Sequence, residues 1–165
     1  MAVTTDFLVP RHEVLGFYGV PKTGSGAGDV DFRRMQRFTE LSLSKNPEEY
    51  TRKYVDEASQ RSDVVAYAPS ISYAFDRHRG NDVLTDIIKI TDREYTAANA
   101  VRTLVWVDTN SGFAAKRDYS VIPDTEGDDG STYTYSGSFK ATGDPVFGTA
   151  TSTDNWMTIT FTEEE

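Results

Sequence analysis

The chain has 165 residues, no cysteine and a formal net charge of −9. That length suits one domain with a real core, and without cysteine there is no disulfide, thiol nucleophile or Cys-ligated zinc. The acid surplus sits mainly in residues 96–165, with 11 acids against 4 bases, which disfavours tight nucleic-acid binding because phosphate affinity needs clustered Lys and Arg. The basic clusters are short: Arg33, Arg34 and Arg37, then Arg77, His78 and Arg79. Residues 1–16 lack a basic segment followed by an apolar run, so no signal peptide is expected, and no stretch is long enough to span a bilayer. A soluble, cytoplasmically made product with no membrane partner is expected.

Residues 1–30 read as an N-terminal arm plus a loop, with the Gly- and Ser-rich Pro21–Asp29 as a flexible connection. Residues 37–45 alternate, predicting a strand with Leu41 and Leu43 on one face. The stretch 46–60 is ambiguous. Asn46 as cap, Pro47 at the first helical position and Glu48 and Glu49 behind it make a good helix start, yet the same residues suit a long hairpin arm. Residues 62–76 predict one strand. Val65, Tyr67, Ile71, Tyr73 and Phe75 form its bulky face, and Ala66, Ser70, Ser72 and Ala74 its small one. Pro69 in its middle argues for an edge or a bulge. A half-buried strand ordinarily carries long polar side chains on its open face, so the small face needs a reason.

Residues 81–99 predict the one clear helix. Asn81 caps it, and Val83, Leu84, Ile87 and Ile88 form a stripe at helical spacing. The rest is β: a hairpin turning at Asn110–Gly112, an alternating segment at 131–144, and a last strand with Met157, Ile159 and Phe161 opposite Thr158, Thr160 and Thr162. About seven strands and one helix predict a mainly β (α+β) fold, a β-sandwich or rolled sheet with one flanking α-helix.

No chemistry is evident. His12 and His78 lack partner patterns and read as surface histidines. Residues 124–130 resemble a calcium loop, but Asp129 stands where Gly is required and Tyr135 where Glu is required. They read as an acidic turn. In residues 21–28 the lysine precedes the glycines, so this is not a phosphate-binding loop. No catalytic residue, metal site or cofactor is expected, and the chain reads as a non-enzyme.

The ordered blocks "RFTELSLSKNPEEYTRKYVDE", "SDVVAYAPSISYAFDR", "DIIKITDREYTAANAVRTLVWVD", "KRDYSVIPDTEG", "YTYSGSFKATGDPVFGTAT" and "WMTITF" together resemble the major tail tube proteins of long-tailed, siphovirus-type phages that infect Gram-positive bacteria. The likeness covers residues 17 to 162. It implies a single structural domain over residues 1–165, self-assembling into homohexameric rings. The strands would join a multi-subunit barrel, stacked as a hollow tube through which DNA is ejected without specific binding. It implies a virion location, assembly in the host cytoplasm, and contacts with tape measure, tail terminator and distal tail proteins. In such proteins the segment matching 46–63 is a long hairpin reaching neighbours, which favours hairpin over helix here. It also implies subunit contacts at Glu48, Glu49, Tyr50, Arg52, Tyr54, Asp56 and Glu57. Val65, Ile71, Tyr73 and Phe75 would pack in the core. Ala66, Ser70, Ser72 and Ala74 would face the lumen, a tightly apposed neighbour, or another element of the same subunit. Two other readings stay open: a monomeric β-sandwich binding or decoration module, and the tube of a phage-derived bacteriocin particle.

Overall fold

Alternating hydrophobicity dominates the chain, and the described residues form eleven strands and one α-helix. In this computed structural model they comprise residues 6–22, 29–128 and 130–165. The first five residues of the expected arm and residues 23–28 of the expected loop lie outside them. In chain order the strands are β1 (Val14–Pro21), β2 (Val30–Arg34), β3 (Phe38–Ser44), β4 (Pro47–Arg52), β5 (Arg61–Tyr67) and β6 (Ser70–Asp76). Helix α1 (Asp82–Asp92) follows, then β7 (Val101–Asp108), β8 (Phe113–Asp128), β9 (Tyr133–Ala141), β10 (Val146–Thr151) and β11 (Thr160–Glu163). The chain divides into two units, one of residues 1–35, 103–117 and 145–165, the other of residues 36–102 and 118–144.

In the first unit the strands pair in the order β2-β1-β7-β8-β10-β11. Phe17 of β1 sits opposite Val105 of β7. With Val107, Ala114 and Ala150 these two form a buried cluster, flanked by Leu15, Phe32, Trp156, Ile159 and Phe161. This corrects the reading of residues 1–30 as arm and loop: Val14–Pro21 is a strand of the sheet, and its Phe17 and Tyr18 are fully buried. The last strand is also shorter than its alternation suggests. β11 begins at Thr160, and Met157 is exposed. The reason is a tight turn, in which Asn155 and Trp156 both take positive φ. The Asp154 carboxylate accepts hydrogen bonds there from the Thr158 amide (3.0 Å) and hydroxyl (2.6 Å).

In the second unit the sheet order is β8-β9-β6-β3. Ile71, Tyr73 and Phe75 are buried, as are Tyr135 and Phe139 opposite them. The rings interlock, Tyr73 with Phe139 at 4.6 Å and Phe75 with Tyr135 at 5.4 Å between centroids. Burial pushes both tyrosine hydroxyls up from their ordinary range, and the Asp124 carboxylate raises Tyr73 further. Asn81 caps α1 by accepting from the Leu84 amide at 3.3 Å, and Val83, Leu84, Ile87, Ile88 and Ile90 are buried. The helix stops at Asp92, seven residues before the predicted end, because the apolar stripe ends at Ile90 and helix without a face to bury is marginal. Glu94 then turns to positive φ.

The segment 46–67 is a two-stranded ribbon, β4 paired with β5. The cap-like Asn46-Pro47 does not start a helix. Asn46 takes positive φ and ties the base of the ribbon, donating from its side chain to the Ala68 carbonyl and to the Ser70 hydroxyl at 3.1 Å each. The single strand expected over 62–76 is two strands, broken at Ala68-Pro69. Val65 and Tyr67 therefore leave the core, at 59% and 58% exposure. Pro69 does not mark an edge. It precedes β6, an interior strand between β3 and β9, and its missing N–H falls outside the ladder.

Candidate assembly surfaces

Two surfaces stand out, and neither is a catalytic pocket. The first is the open face of the second unit's sheet. Residues in direct antiparallel register share a face, so the pairings define three rows across β3, β6, β9 and β8. They are Ser44-Ser70-Lys140-Ser120, Ser42-Ser72-Ser138-Ile122 and Glu40-Ala74-Ser136-Thr125. Nine of these twelve positions are Ser, Thr or Ala. Ser42, Ser44, Ser72 and Thr125 are exposed, while Ser70, Ala74, Ser136 and Ser138 are part-buried. The hydroxyls of Thr125 and Ser136 meet at 2.6 Å, and Thr39 donates to the Ala74 carbonyl at 3.1 Å. The small side chains thus turn some of their polarity onto one another and onto the backbone, leaving a low, wettable surface. Ser70, Ser72 and Ala74 belong to this face. Ala66 does not, because it lies on β5.

The opposite face explains the smallest residue in the sheet. A Cβ at Gly137 would come within 2.5 Å of the Ile122 carbonyl and 2.7 Å of the Tyr73 hydroxyl. The sheet therefore carries most of its large apolar side chains on one face; the alternation of 37–45 and 131–144 already shows this within β3 and β9, and the register aligns their small positions with those of β6 and β8.

The second surface is the β4–β5 ribbon. Every residue of both strands is exposed. Tyr50, Tyr54, Val55, Val64, Val65 and Tyr67 present apolar surface, and the Arg52 guanidinium lies over the Tyr50 and Tyr54 rings at 5.9 and 5.8 Å. Glu57 pairs with Arg61 at 3.4 Å. Glu48, Glu49, Tyr50 and Arg52 lie on β4, with Tyr54, Asp56 and Glu57 in the connection to β5. An isolated two-stranded ribbon is marginally stable in water, so such a ribbon with exposed aromatics calls for a covering surface.

The remaining sequence candidates carry no site. His12 is exposed in a short 3₁₀ turn. His78 is exposed, with Nδ1 2.7 Å from the Asp76 carbonyl, and lines a shallow pocket of about 240 Å³ with Arg77 and Arg79. The supposed acidic turn is strand as far as Asp128, continuing β8, and Asp129 lies outside the described residues. Among the described residues no three His, Asp or Glu side chains cluster as a metal site, and no helix is long and apolar enough to cross a membrane.

No protein-family model matches the chain, and no curated protein matches it. A solved structure does: a chain from the "Tail of empty GTA particle computed with helical refinement, C6 symmetry", GTA being a gene transfer agent. The TM-score is 0.61 over 85% of this chain and 98% of that one, at 15% identity. The two share a fold. That neighbour belongs to the tail of its particle, whose symmetry is six-fold. At this identity the likeness speaks for the mainly β fold and not for any individual side chain.

Proposed function

We propose that this chain is the tube subunit of a phage-type tail, self-assembling into six-fold rings that stack into a hollow tube for DNA ejection. The observation that carries the reading is the fold shared with a chain of a C6 tail over 85% of the present chain. The ordered sequence blocks that resemble siphovirus tail tube proteins of phages of Gram-positive hosts support the finer assignment. Rings stack in the virion tail after assembly in the host cytoplasm, and tape measure, tail terminator and distal tail proteins meet the tube along its length and at its ends.

In this reading the low Ser/Thr/Ala face lines the lumen. Small neutral side chains keep the bore wide, and they give phosphate no cation cluster to hold. Lys140 and Glu40 are the two charges of the twelve-residue grid. The residues before β1 and the β4–β5 ribbon carry contacts between subunits, including those of Glu48, Glu49, Tyr50, Arg52, Tyr54, Asp56 and Glu57. The edge of β3 away from β6 pairs with a neighbour, whereas the outer edge of β2 is already covered within the chain by residues 157–159. Closing a sheet around a ring removes exposed edges, which otherwise invite aggregation. Negative-stain microscopy of the purified protein tests this. Rings or tubes support it, and uniform small particles under all assembly conditions refute it in favour of a monomeric module.

A further inference from the structure

The tip of the β4–β5 ribbon and the β10–β11 region are opposite in charge and alike in exposed apolar surface. At the tip, Val55 is wholly exposed and Tyr50 and Tyr54 are nearly half exposed, with Arg52 held between the two rings. Glu57 is matched by Arg61, which leaves Arg52 and Lys53 against Asp56 in sequence. The tip is thus locally positive on a chain of net charge −9.

In the first unit, Phe113 and Phe147 stack at 6.0 Å and are 51% and 47% exposed. Beside them lies a pocket of about 240 Å³ lined by Phe113, Thr149, Thr162, Glu163 and Glu164. The Glu164 amide donates to the Phe147 carbonyl at 2.9 Å, which sets Glu164 beside Phe147, while Glu163 pairs with Gly148 at the lining of the same pocket. Exposed apolar surface rimmed by one sign of charge marks an interaction site.

Building on the tube reading, we propose that the ribbon tip of one copy docks on the Phe113–Phe147 surface of a second copy. Val55 and the tyrosines cover the phenyl rings, and Arg52 and Lys53 meet Glu163 and Glu164. A second copy is the occupant because the complementarity is internal to the sequence: one chain supplies both an aromatic-basic tip and an aromatic-acidic seat. Tyr and Arg are the residues that dominate interface energetics when a partner excludes water from them. The charge pairs set register and partner choice, which matters when acidic subunits must approach one another.

The absence of native cysteine allows a clean test. Chains carrying Val55→Cys and Thr149→Cys, assembled and then oxidised, yield a ladder of covalently linked chains on a non-reducing gel. A pairing of Val55→Cys with Ser72→Cys yields none. Independently, Arg52→Glu with Lys53→Glu lowers the sedimentable fraction at least tenfold, and adding Glu163→Lys with Glu164→Lys restores most of it. Tubes that form but fail to cross-link at 55 and 149 overturn the docking assignment and leave the tube reading standing. Charge-reversed chains that keep their β circular dichroism and assemble undiminished do the same. A parent protein that forms no rings or tubes overturns both.

Discussion

Gly148 shows how far a single residue can constrain this fold. A Cβ there would collide with the Thr162 carbonyl oxygen, with the Glu163 Cα only 3.0 Å away. Both obstacles are backbone, so β11 must move to admit even a methyl group. Gly148→Ala should therefore cost about 2 kcal/mol, the scale of overpacking in a filled core, as measured by urea unfolding. Asp154 makes a different prediction. The hydrogen bonds from Thr158, with that from the Ser152 hydroxyl at 2.8 Å, hold its pKa down to about 2 from an ordinary 3.8. A carboxylate whose pKa is lowered on folding stabilises the fold above its unfolded value and loses that contribution as pH falls towards the folded one. The 152–158 turn should thus loosen between about pH 4 and pH 2. Trp156, whose amide donates to the Ser152 hydroxyl, reports this by fluorescence in a Trp106→Phe background. Asp154→Asn should flatten the profile over that range, and an unchanged profile would show that the turn does not depend on the carboxylate.

At the scale of elements, what could be read from sequence depended on whether an element satisfies itself. α1 was legible because its cap and its apolar stripe are local, and its end was misplaced only where the stripe stopped. β6 was legible because Ile71, Tyr73 and Phe75 alternate with Ser72 and Ala74. The ribbon was not legible from local chemistry, since Asn46, Pro47 and Glu48 make a sound helix start. The ladder to β5 and the Asn46 contacts with Ala68 and Ser70 override that preference, and family resemblance pointed to the hairpin where propensity did not. β1 was missed because "VLGFYGVP" shows no period-two pattern. Its Phe17 and Tyr18 are adjacent and both buried, as happens when a strand is covered on both faces. Of the small face, β6 supplied three members by its own alternation. The alternation of β3 and β9 supplied Ser42, Ser44, Ser136 and Ser138, and only the alignment of these positions into rows with β6 and β8 needed the register, which no single strand encodes. Because the base of the ribbon is tied by Asn46, outside the projecting part, deleting Glu49–Gln60 should leave a folded chain with unchanged β circular dichroism that no longer assembles. Loss of the β signal would instead place the ribbon in the fold's own stability.

For the whole molecule, one sheet face carries mostly Ser, Thr and Ala opposite its aromatic core, and the strands of the β4–β5 ribbon are exposed throughout. Both features are uneconomical in a monomer and sensible in a repeating assembly, where neighbours cover the ribbon and the smooth face can bound a channel. The measurement that tests this most directly is cryo-electron microscopy of the assembled protein. The account predicts stacked six-fold rings whose bore is lined by Ser42, Ser72, Ser136 and Ser138, with the β4–β5 ribbon on a neighbouring subunit. Particles of any other rotational symmetry, or a protein that stays as isolated subunits with the ribbon in solvent, would contradict it.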